Sequence, residues 1–433
     1  MMIYTVRRGD TLYRIAKRAQ VDVTQLARDN GIEHPETLSV GQTLVISAPR
    51  SVYTVREGDT LYSIAQHFSV RVGDLLRNNP FLSGMDTLHP GDVLTIVGEE
   101  PTFDREISVN TYVYPSVDRA DLRTMLPALT YLTVMGYGIE EDGTLIEPMG
   151  DEEIVELARE YGTAPMMQVS GAGGDGVLSG ALAACVLSDE MAAQTLISEI
   201  ENVLSQKRYH GVEIHFQGLP TEMTSLYGAW LDHLRRRLAP SGRRVHVLLT
   251  PQDADGAPDW FGGVQDFADI GERADGENLA TYGWGYAYGE PMAVSPIKQV
   301  RESLLYATER VPSERLTLGL SQYGYEWPLP FVAGQTRARP MNWRTATTLA
   351  QEKRAAIAYD DEQEAPYVRW FEKRDGRAQE HVAYFEDARS IAARLALVNE
   401  YGLDGISLWN GMEYAPQLWK ILLGSYPVRK IWE

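Results

Sequence analysis

Cysteine is almost absent from this sequence, since Cys185 is the only one among 433 residues. One cysteine cannot form an intramolecular disulfide or supply a cluster of cysteine metal ligands. The surrounding segment, Ala181-Leu-Ala-Ala-Cys-Val-Leu, predicts a small buried apolar side chain at Cys185. We therefore expect neither a metal site nor a cofactor.

Long apolar runs are missing as well. The chain has no run of about 18 apolar residues, the length that a membrane-spanning helix needs, so we expect no membrane partner. Its first residues, Met1-Met-Ile-Tyr-Thr-Val-Arg-Arg, lack an apolar stretch followed by a cleavage site of small residues. A cleavable secretion signal is therefore not predicted.

Basic residues are outnumbered by acidic ones. The net charge is −20, and residues 101–433 carry most of it, with 30 basic and 48 acidic residues. A surface this acidic repels the phosphate backbone of DNA and RNA. Nucleic acid is therefore excluded as an expected partner.

The N-terminal part contains an internal repeat. The segment that begins Tyr4-Thr-Val-Arg-Arg-Gly-Asp-Thr-Leu-Tyr returns 49 residues later as Tyr53-Thr-Val-Arg-Glu-Gly-Asp-Thr-Leu-Tyr. Each copy predicts the order strand, helix, helix, strand. Asp10 and Asp59 stand where a helix N-cap is expected. The copies predict two small domains, at residues 1–49 and 50–98.

Both copies resemble the LysM module, and the resemblance covers nearly all of residues 3–97. It implies βααβ folds that bind chains of N-acetylglucosamine in peptidoglycan or chitin. In that family the ligand lies in a shallow groove between two loops. The second loops correspond to residues 32–38 and 81–88. The first loops correspond to Gly9, Asp10, Thr11 and Leu12, and to Gly58, Asp59, Thr60 and Leu61.

The same groove residues also have a purely structural interpretation. A turn, a helix cap and a core position explain Gly9, Asp10 and Leu12 equally well. If both grooves bind, two weak sites on one chain raise the apparent affinity for a repetitive polymer.

Beyond residue 103, short apolar runs alternate with helical segments. Eight such runs predict an α/β fold, a (β/α)8 TIM barrel over residues 103–433. An open doubly wound sheet is the alternative, but the Gly-rich loop typical of a dinucleotide-binding sheet is missing. The strands are expected at residues 107–114, 131–137, 165–170, 211–217, 245–250, 279–284, 316–323 and 405–409.

The interval between the last two predicted strands is long. It predicts a small α+β insertion at about residues 328–390, between strands seven and eight. Two alternating segments within it indicate a hairpin with a turn near Asp375-Gly376.

The predicted fourth strand has the most informative pattern. Three apolar residues alternate with three polar ones, Glu213, His215 and Gln217. In a barrel strand one set faces the surrounding helices and the other faces the lumen. The apolar set suits the helices. We therefore expect the polar set to rise through the lumen towards the C-terminal face, where the active sites of such barrels lie.

This strand resembles the signature of glycoside hydrolase family 18, Asp-x-x-Asp-x-Asp-x-Glu. The corresponding positions here are His210, Glu213, His215 and Gln217. Other segments resemble the LysM-bearing branch of that family that processes bacterial spore cortex, and the resemblance spans residues 103–433. Those segments are Ala280-Thr-Tyr-Gly-Trp-Gly-Tyr-Ala-Tyr-Gly-Glu-Pro-Met, Gly319-Leu-Ser-Gln-Tyr-Gly-Tyr-Glu-Trp and Gly405-Ile-Ser-Leu-Trp.

The resemblance implies a retaining glycosidase assisted by the acetamido group of its substrate. The final Glu of the signature protonates the leaving oxygen, and the preceding Asp orients the acetamide. Here those positions hold Gln217 and His215. An amide has no proton to give, and general acid catalysis contributes roughly 10²–10⁴-fold.

Two interpretations of the remaining polar residues stay open. Glu213 and His215 are expected to form a buried hydrogen-bonded pair. Alternatively, His215 could donate the proton itself. A metal held by His210, Glu213 and His215 is not expected, because His210 is out of step with the other two along the strand and two ligands seldom make a site.

The resemblance also assigns the floor of the binding cleft. Tyr282 corresponds to a Tyr that contacts the acetamido group. Trp409 corresponds to a Trp that lies under the sugar ring. Gly283 replaces an acidic residue expected beside that Tyr. Packing within the barrel is the alternative role for Tyr282 and Trp409.

Three functions follow for the whole chain. The leading hypothesis is a protein that binds N-acetylglucosamine-containing cell-wall polymer through its repeats and cleft without cleaving it. The second is an active N-acetylglucosaminidase of spore cortex peptidoglycan. The third is a structural component of the spore coat. All three predict a location at the spore coat, the cortex or the cell wall.

Overall fold

The two repeats fold separately, as βααβ units. The computed structural model describes residues 1–82, 88–98, 100–260, 262–374 and 377–432. In each repeat the first and last strands pair antiparallel. The elements of the first repeat are β1 (Met2–Thr5), α1 (Leu12–Ala19), α2 (Val23–Asp29) and β2 (Thr43–Ile46); those of the second are β3 (Ser51–Thr54), α3 (Leu61–Phe68), α4 (Val72–Asn78) and β4 (Val93–Val97).

The N-caps of α1 and α3 are Thr11 and Thr60, so the prediction of Asp10 and Asp59 was wrong by one residue. The Asp10 carboxylate accepts from the backbone N–H three residues earlier at 2.8 Å and from Tyr4 Oη at 2.7 Å. Asp59 makes the equivalent bonds. These donors hold the two carboxylates in the turn before each helix. The Thr11 and Thr60 side chains therefore cap α1 and α3.

A buried asparagine fastens the second helix of each repeat to its closing strand. Asn30 Nδ2 donates to the carbonyls of Leu26 and Val45 at 2.8 Å, and Val45 N donates to Asn30 Oδ1 at 2.6 Å. Asn79 makes the same three bonds in the second repeat. The sequence repeat therefore preserves a hydrogen-bonded core as well as an apolar one.

The large domain is a closed barrel of eight parallel strands, as predicted. The sheet closes because β5 pairs with both β6 and β18, while the short strand β7 (Leu145–Ile146) pairs antiparallel on the end of β6. The barrel strands are β5 (Ser108–Val113), β6 (Tyr131–Ile139), β8 (Ala164–Ser170), β9 (Gly211–His215), β10 (Arg244–Leu249), β11 (Gly276–Leu279), β12 (Leu316–Ser321) and β18 (Gly405–Trp409).

The sixth barrel strand differs from its prediction. β11 ends at Leu279, where the predicted strand begins. The apolar and aromatic residues after Leu279 lie in a loop on the C-terminal rim. Ala280 and Tyr282 are buried there in a cluster with Tyr112, at the mouth of the barrel.

Among the described residues, nine helices surround the barrel strands. The main apolar core lies between these helices and the strands. Cys185 lies exposed on α7, so the prediction of a buried side chain was wrong. Within the described ranges, no helix combines the length and the hydropathy needed to cross a membrane. The helices are α5 (Arg119–Met125), α6 (Asp151–Glu160), α7 (Gly180–Ser188), α8 (Glu190–Gln206), α9 (Thr224–Leu238), α10 (Phe267–Arg273), α11 (Ile297–Thr308), α13 (Ala388–Glu400) and α14 (Pro416–Ser425).

Between β12 and α13 the described residues form a five-stranded antiparallel sheet with one helix. Its first strand starts ahead of the expected residue 328, because β13 follows β12 after Gln322 alone. The predicted turn at Asp375-Gly376 lies outside the described residues. The elements are β13 (Tyr323–Leu329), β14 (Arg339–Asn342), α12 (Trp343–Glu352), β15 (Ile357–Asp360), β16 (Ala365–Arg374) and β17 (Arg377–Tyr384).

The first repeat packs against the barrel and its insertion. Gln417 on α14 donates to Thr43 O at 2.7 Å, and Ile357 N donates to Val40 O at 2.9 Å. Val45 on β2 is fully buried within the core cluster of the barrel. Gly41 lies close against the insertion, since an added Cβ there would lie 1.8 Å from Ile357 O.

Candidate active site

Three polar residues of the fourth barrel strand face the lumen. Glu213 and His215 lie on β9, and Gln217 follows two residues beyond its end. The exposed fraction is 1% for Glu213, 9% for His215 and 6% for Gln217. The intervening apolar residues are buried in the core cluster that the helices cover. The structure therefore places the three predicted positions in one file, from the barrel interior to its mouth.

Glu213 forms the buried base of this file. Its carboxylate accepts from Tyr112 Oη at 3.0 Å, from Gln168 Nε2 at 2.7 Å and from Asn278 Nδ2. Burial raises the pKa of Glu213 to about 6, although these three donors oppose the shift. The predicted pair of Glu213 with His215 was wrong, because donors from three other strands take up the carboxylate.

His215 is an uncharged imidazole near neutral pH. Burial lowers the pKa of His215 to about 4; a hydrogen bond with Gln217 and the negative charge of Asp259 offset this only in part. A neutral imidazole supplies no fixed charge at this level of the lumen.

Asp259, in the loop after β10, lies next to the polar residues of β9. Its carboxylate accepts from Gly218 N at 2.8 Å and from Gly263 N at 2.9 Å, and its exposed fraction is 5%. This places a buried carboxylate beside His215 and Gln217. Sequence reasoning missed Asp259, because it lies in a loop with no repeat or periodicity to single it out.

Aromatic rings form the floor of the cleft. The rings of Tyr282 and Trp409 stack with centroids 6.1 Å apart, and Tyr112 lies 5.4 Å from Trp409. Tyr282 is buried in a cluster with Tyr112, and Trp409 packs against it. The peptide bond between Trp409 and Asn410 is cis. Tyr282 and Trp409, predicted from different strands, therefore meet at the same end of the barrel.

A cavity of about 400 Å³ opens beside Trp409, between the barrel and the insertion. Trp343, Tyr323 and Tyr325 give it aromatic walls. Glu413 Oε2 accepts from Asn342 Nδ2 at 2.7 Å on the same lining. Aromatic faces with a few polar groups are typical of a carbohydrate-sized pocket. Sequence reasoning missed these residues, because they come from the insertion and from the loop after β18.

Gly283 adopts a backbone conformation that disfavours other residues. Its φ is +103°, and a Cβ added there would lie 2.9 Å from Trp260 Cη2. The Trp260 ring packs edge-on against Trp284 at 6.2 Å. The indole therefore occupies the space into which a side chain at position 283 would project.

The predicted groove residues of the repeats divide into two kinds. Leu12 is buried in the core of its repeat, whereas Gly9 and Thr11 are exposed. In the second repeat Gly58 and Thr60 are exposed and Leu61 is half-buried. Of the second loop there, residues 83–87 lie outside the described residues. The exposed positions remain available to a ligand, and the leucines and aspartates also hold the fold together.

A sequence profile for glycosyl hydrolases family 18 matches residues 111–412, which is more than half of the chain. The chain belongs to glycosyl hydrolases family 18. A LysM domain profile matches residues 4–47 and 53–97. Both predicted resemblances are thereby confirmed.

Two relatives resemble this family 18 protein over its full length. It is 34% identical over 439 residues to the cortical fragment-lytic enzyme of Bacillus subtilis strain 168, covering 99% of each chain. It superposes on the crystal structure of the Bacillus cereus spore cortex-lytic enzyme SleL with a TM-score of 0.83 and 31% identity, covering 100% of this chain and 99% of that one.

The family 18 barrel also resembles a more distant structure. The chitinase of Chromobacterium violaceum superposes with a TM-score of 0.66 at 22% identity, covering 73% of this chain and 98% of that one. At this identity the likeness shows the shared fold alone. The LysM and family 18 domains together imply binding of glycans that contain N-acetylglucosamine.

Proposed function

We propose that this protein binds N-acetylglucosamine-containing cell-wall polymer, spore cortex peptidoglycan in particular, without cleaving it. The observation that carries the proposal is the pair at the mouth of β9, a neutral His215 and Gln217. The resemblance to the family's signature assigns these two positions to the helper and the acid. The names of the full-length relatives point to spore cortex as the polymer and to the spore as the location.

The chemistry of hydrolysis requires a proton for the leaving oxygen. Gln217 has none to give, since its amide only donates and accepts hydrogen bonds. His215, with a pKa of about 4, is mostly unprotonated at neutral pH, and it provides no negative charge to orient an acetamide. Protonation of the leaving oxygen therefore lacks an acid, and orientation of the acetamide lacks a carboxylate.

Neighbouring carboxylates are poorly placed to substitute. Glu213 lies four residues before Gln217, which corresponds to about 13 Å along an extended strand. Its oxygens already accept three hydrogen bonds. The carboxylate oxygens of Asp259 each already accept from a backbone N–H, of Gly218 and of Gly263.

Binding requires only the surfaces that remain. The half-buried Trp409 ring offers an apolar face to the C–H face of a sugar, and the buried Tyr282 ring supports it by stacking. The cavity that Trp409 lines adds Glu413 and Asn342 as hydrogen-bonding groups. The repeats add two further contact points on the same chain.

An active hydrolase is the second candidate, favoured by the identity to lytic relatives over the whole chain. Mass spectrometry of cortex fragments incubated with the protein separates the two. We expect no product from the wild type and new product from His215→Asp/Gln217→Glu. The matched control, His215→Asp/Gln217→Ala, restores the helper without the acid and should stay inactive. Product from the wild type at an ordinary enzymatic rate would overturn the proposal.

A further inference from the structure

A second indole, that of Trp260, borders the cleft beside Gly283. Trp260 is 45% exposed, which is a high value for a side chain of this size and apolarity. Its ring packs edge-on against Trp284 with centroids 6.2 Å apart, and its Cη2 atom lies 2.9 Å from the position of a Cβ at Gly283. The rim therefore holds part of the indole, and the rest of its surface stays open.

The loop that carries Trp260 is fixed to the mouth of the fourth barrel strand. Asp259, which precedes Trp260, accepts from Gly218 N at 2.8 Å and from Gly263 N at 2.9 Å. The Asp259 N–H in turn donates to Gly263 O at 2.6 Å. Gly218 directly follows Gln217, so these bonds join the base of Trp260 to the candidate active site. An anchored ring loses little conformational freedom when it binds a ligand.

A two-residue segment of the cleft floor lies between Trp260 and the Trp409 ring. Tyr282 stacks on Trp409 with centroids 6.1 Å apart, and the next residue, Gly283, contacts Trp260. Consecutive residues therefore each meet one of the two indoles. This spacing is short enough for one oligosaccharide chain to reach both rings.

The two indoles differ in their surroundings. Trp409 lines the cavity of about 400 Å³, where Asn342 and Glu413 add hydrogen-bonding groups. Trp260 is not among the described residues that line this cavity, and it offers an open face on the rim. A short sugar chain should therefore occupy the Trp409 position first, and only a longer chain should extend to Trp260.

The chemistry of the exposed ring suits an uncharged sugar. A pyranose presents an apolar C–H face, and the flat indole matches it. Gly283 and Trp284, which contact Trp260, bring no charge to the rim, although the resemblance to the family predicts a carboxylate at position 283. An aromatic face therefore occupies the place of an expected acid. Because this face continues the cleft floor, a further part of the same glycan is the occupant that fits it.

We propose that Trp260 is a second sugar-stacking position of the cleft, so that the protein prefers long chains of N-acetylglucosamine-containing glycan to short ones. This inference rests on the proposed glycan binding and extends it to the length of the chain. It does not depend on whether the chain is cleaved, because Trp260 only stacks against the sugar.

Tryptophan supplies a signal that comes from the large domain alone. All nine tryptophans lie beyond residue 98, so the indole N–H resonances of the full-length protein, labelled with isotopic tryptophan, report on the barrel and its insertion and not on the repeats. Trp260→Phe and Trp409→Phe assign the two signals. The disaccharide of N-acetylglucosamine should shift the Trp409 resonance and leave that of Trp260 in place. The hexasaccharide should shift both.

The affinity read from the Trp409 resonance gives a second measurement. Trp260→Ala should weaken hexasaccharide binding by about tenfold and leave disaccharide binding unchanged, because only the longer chain reaches position 260. Trp260→Tyr keeps a flat ring and should retain most of the preference for the longer chain. Phe371→Ala removes a ring that is 69% exposed on the insertion, and this control should bind both sugars like wild type. Melting curves check that each variant is folded.

The outcomes separate this inference from the proposed function. If the hexasaccharide shifts Trp409 but not Trp260, or binds wild type and Trp260→Ala equally, the second stacking position alone is overturned. Absence of any Trp409 shift would remove the cleft from glycan binding, and both proposals for the cleft would fall. Shortening of the sugar chains during the titration would contradict binding without cleavage and leave the role of Trp260 intact.

Discussion

Gln417 on α14 donates its side-chain amide to Asn30 Oδ1 at 3.0 Å, and so joins the barrel to the asparagine that holds the first repeat together. Asn79 holds the same place in the second repeat, and its side-chain bonds among the described residues stay within that repeat. Two copies of one sequence pattern therefore differ in what they are attached to.

Gln417→Ala should loosen the first repeat selectively. The change removes the bonds to Asn30 and to Thr43 O, each contributing about 1 kcal/mol. Hydrogen exchange should speed up for the amides of β2 and stay the same for those of β4. Gln194→Ala, at an exposed position on α8, is the matched control. Equal exchange in β2 of wild type and variant would show that the apolar contacts alone hold the interface.

Glu277 should make the stability of the barrel pH-dependent. It is 1% exposed, and neither carboxylate oxygen has a hydrogen-bond partner among the described residues. Burial raises the pKa of Glu277 from 4.5 to about 8, with Arg315 opposing the shift. Folding therefore takes up a proton, and the free energy of unfolding falls as pH rises between these two values.

Glu277→Gln removes that titration. At pH 7 the variant should gain roughly 3 kcal/mol relative to wild type, and at pH 4 the gain should vanish. Urea unfolding at both values measures this. Glu272→Gln, at an exposed glutamate close by, should show no such difference between pH 4 and pH 7. A gain of the same size at both pH values would contradict the raised pKa.

Trp409→Ala should weaken the binding of N-acetylglucosamine oligomers by about tenfold or more, since a buried aromatic anchor dominates such a site. Calorimetry on the full-length protein, with melting curves to check the fold, gives the comparison. Phe371→Ala removes an aromatic ring that is 69% exposed on the insertion and should change nothing. If Trp409→Ala binds like wild type, the cleft takes no part in binding and the repeats account for all of it.

Gly283→Ala should destabilise the barrel rim. The positive φ costs a residue with a Cβ about 1–3 kcal/mol, and the contact with Trp260 adds to this. Thermal unfolding of Gly283→Ala and of Gly283→Ala/Trp260→Ala separates the two contributions. The double variant should recover only the steric part. Complete recovery would mean that the backbone carries no strain at this position.

The sequence was sufficient for the fold where its patterns are periodic. The repeat starting at Tyr4 and the alternation around Glu213 both depend on local spacing, and both predictions of architecture were confirmed. The N-cap at Thr11 was missed because an Asp in the adjacent position has the same capping propensity. The strand predicted to start at Leu279 was misplaced because rim aromatics imitate the composition of a strand.

The site was predictable only along a single strand. Glu213, His215 and Gln217 were placed correctly in one file, since period two fixes which face a residue occupies. Their partners were not, because Gln168, Asn278 and Asp259 come from other strands and loops that meet only after the barrel closes. The bond expected between Glu213 and His215 failed for this reason, since donors distant in sequence competed for the same carboxylate.

The burial of Val45 within the barrel core has a consequence for where the chain can be divided. A module can be cut away without damage only when it shares little apolar surface with its neighbour. Removal of the first repeat would uncover apolar surface on α13 and α14, which its closing strand covers. A chain that begins at residue 50 would therefore carry a damaged barrel and not an isolated one.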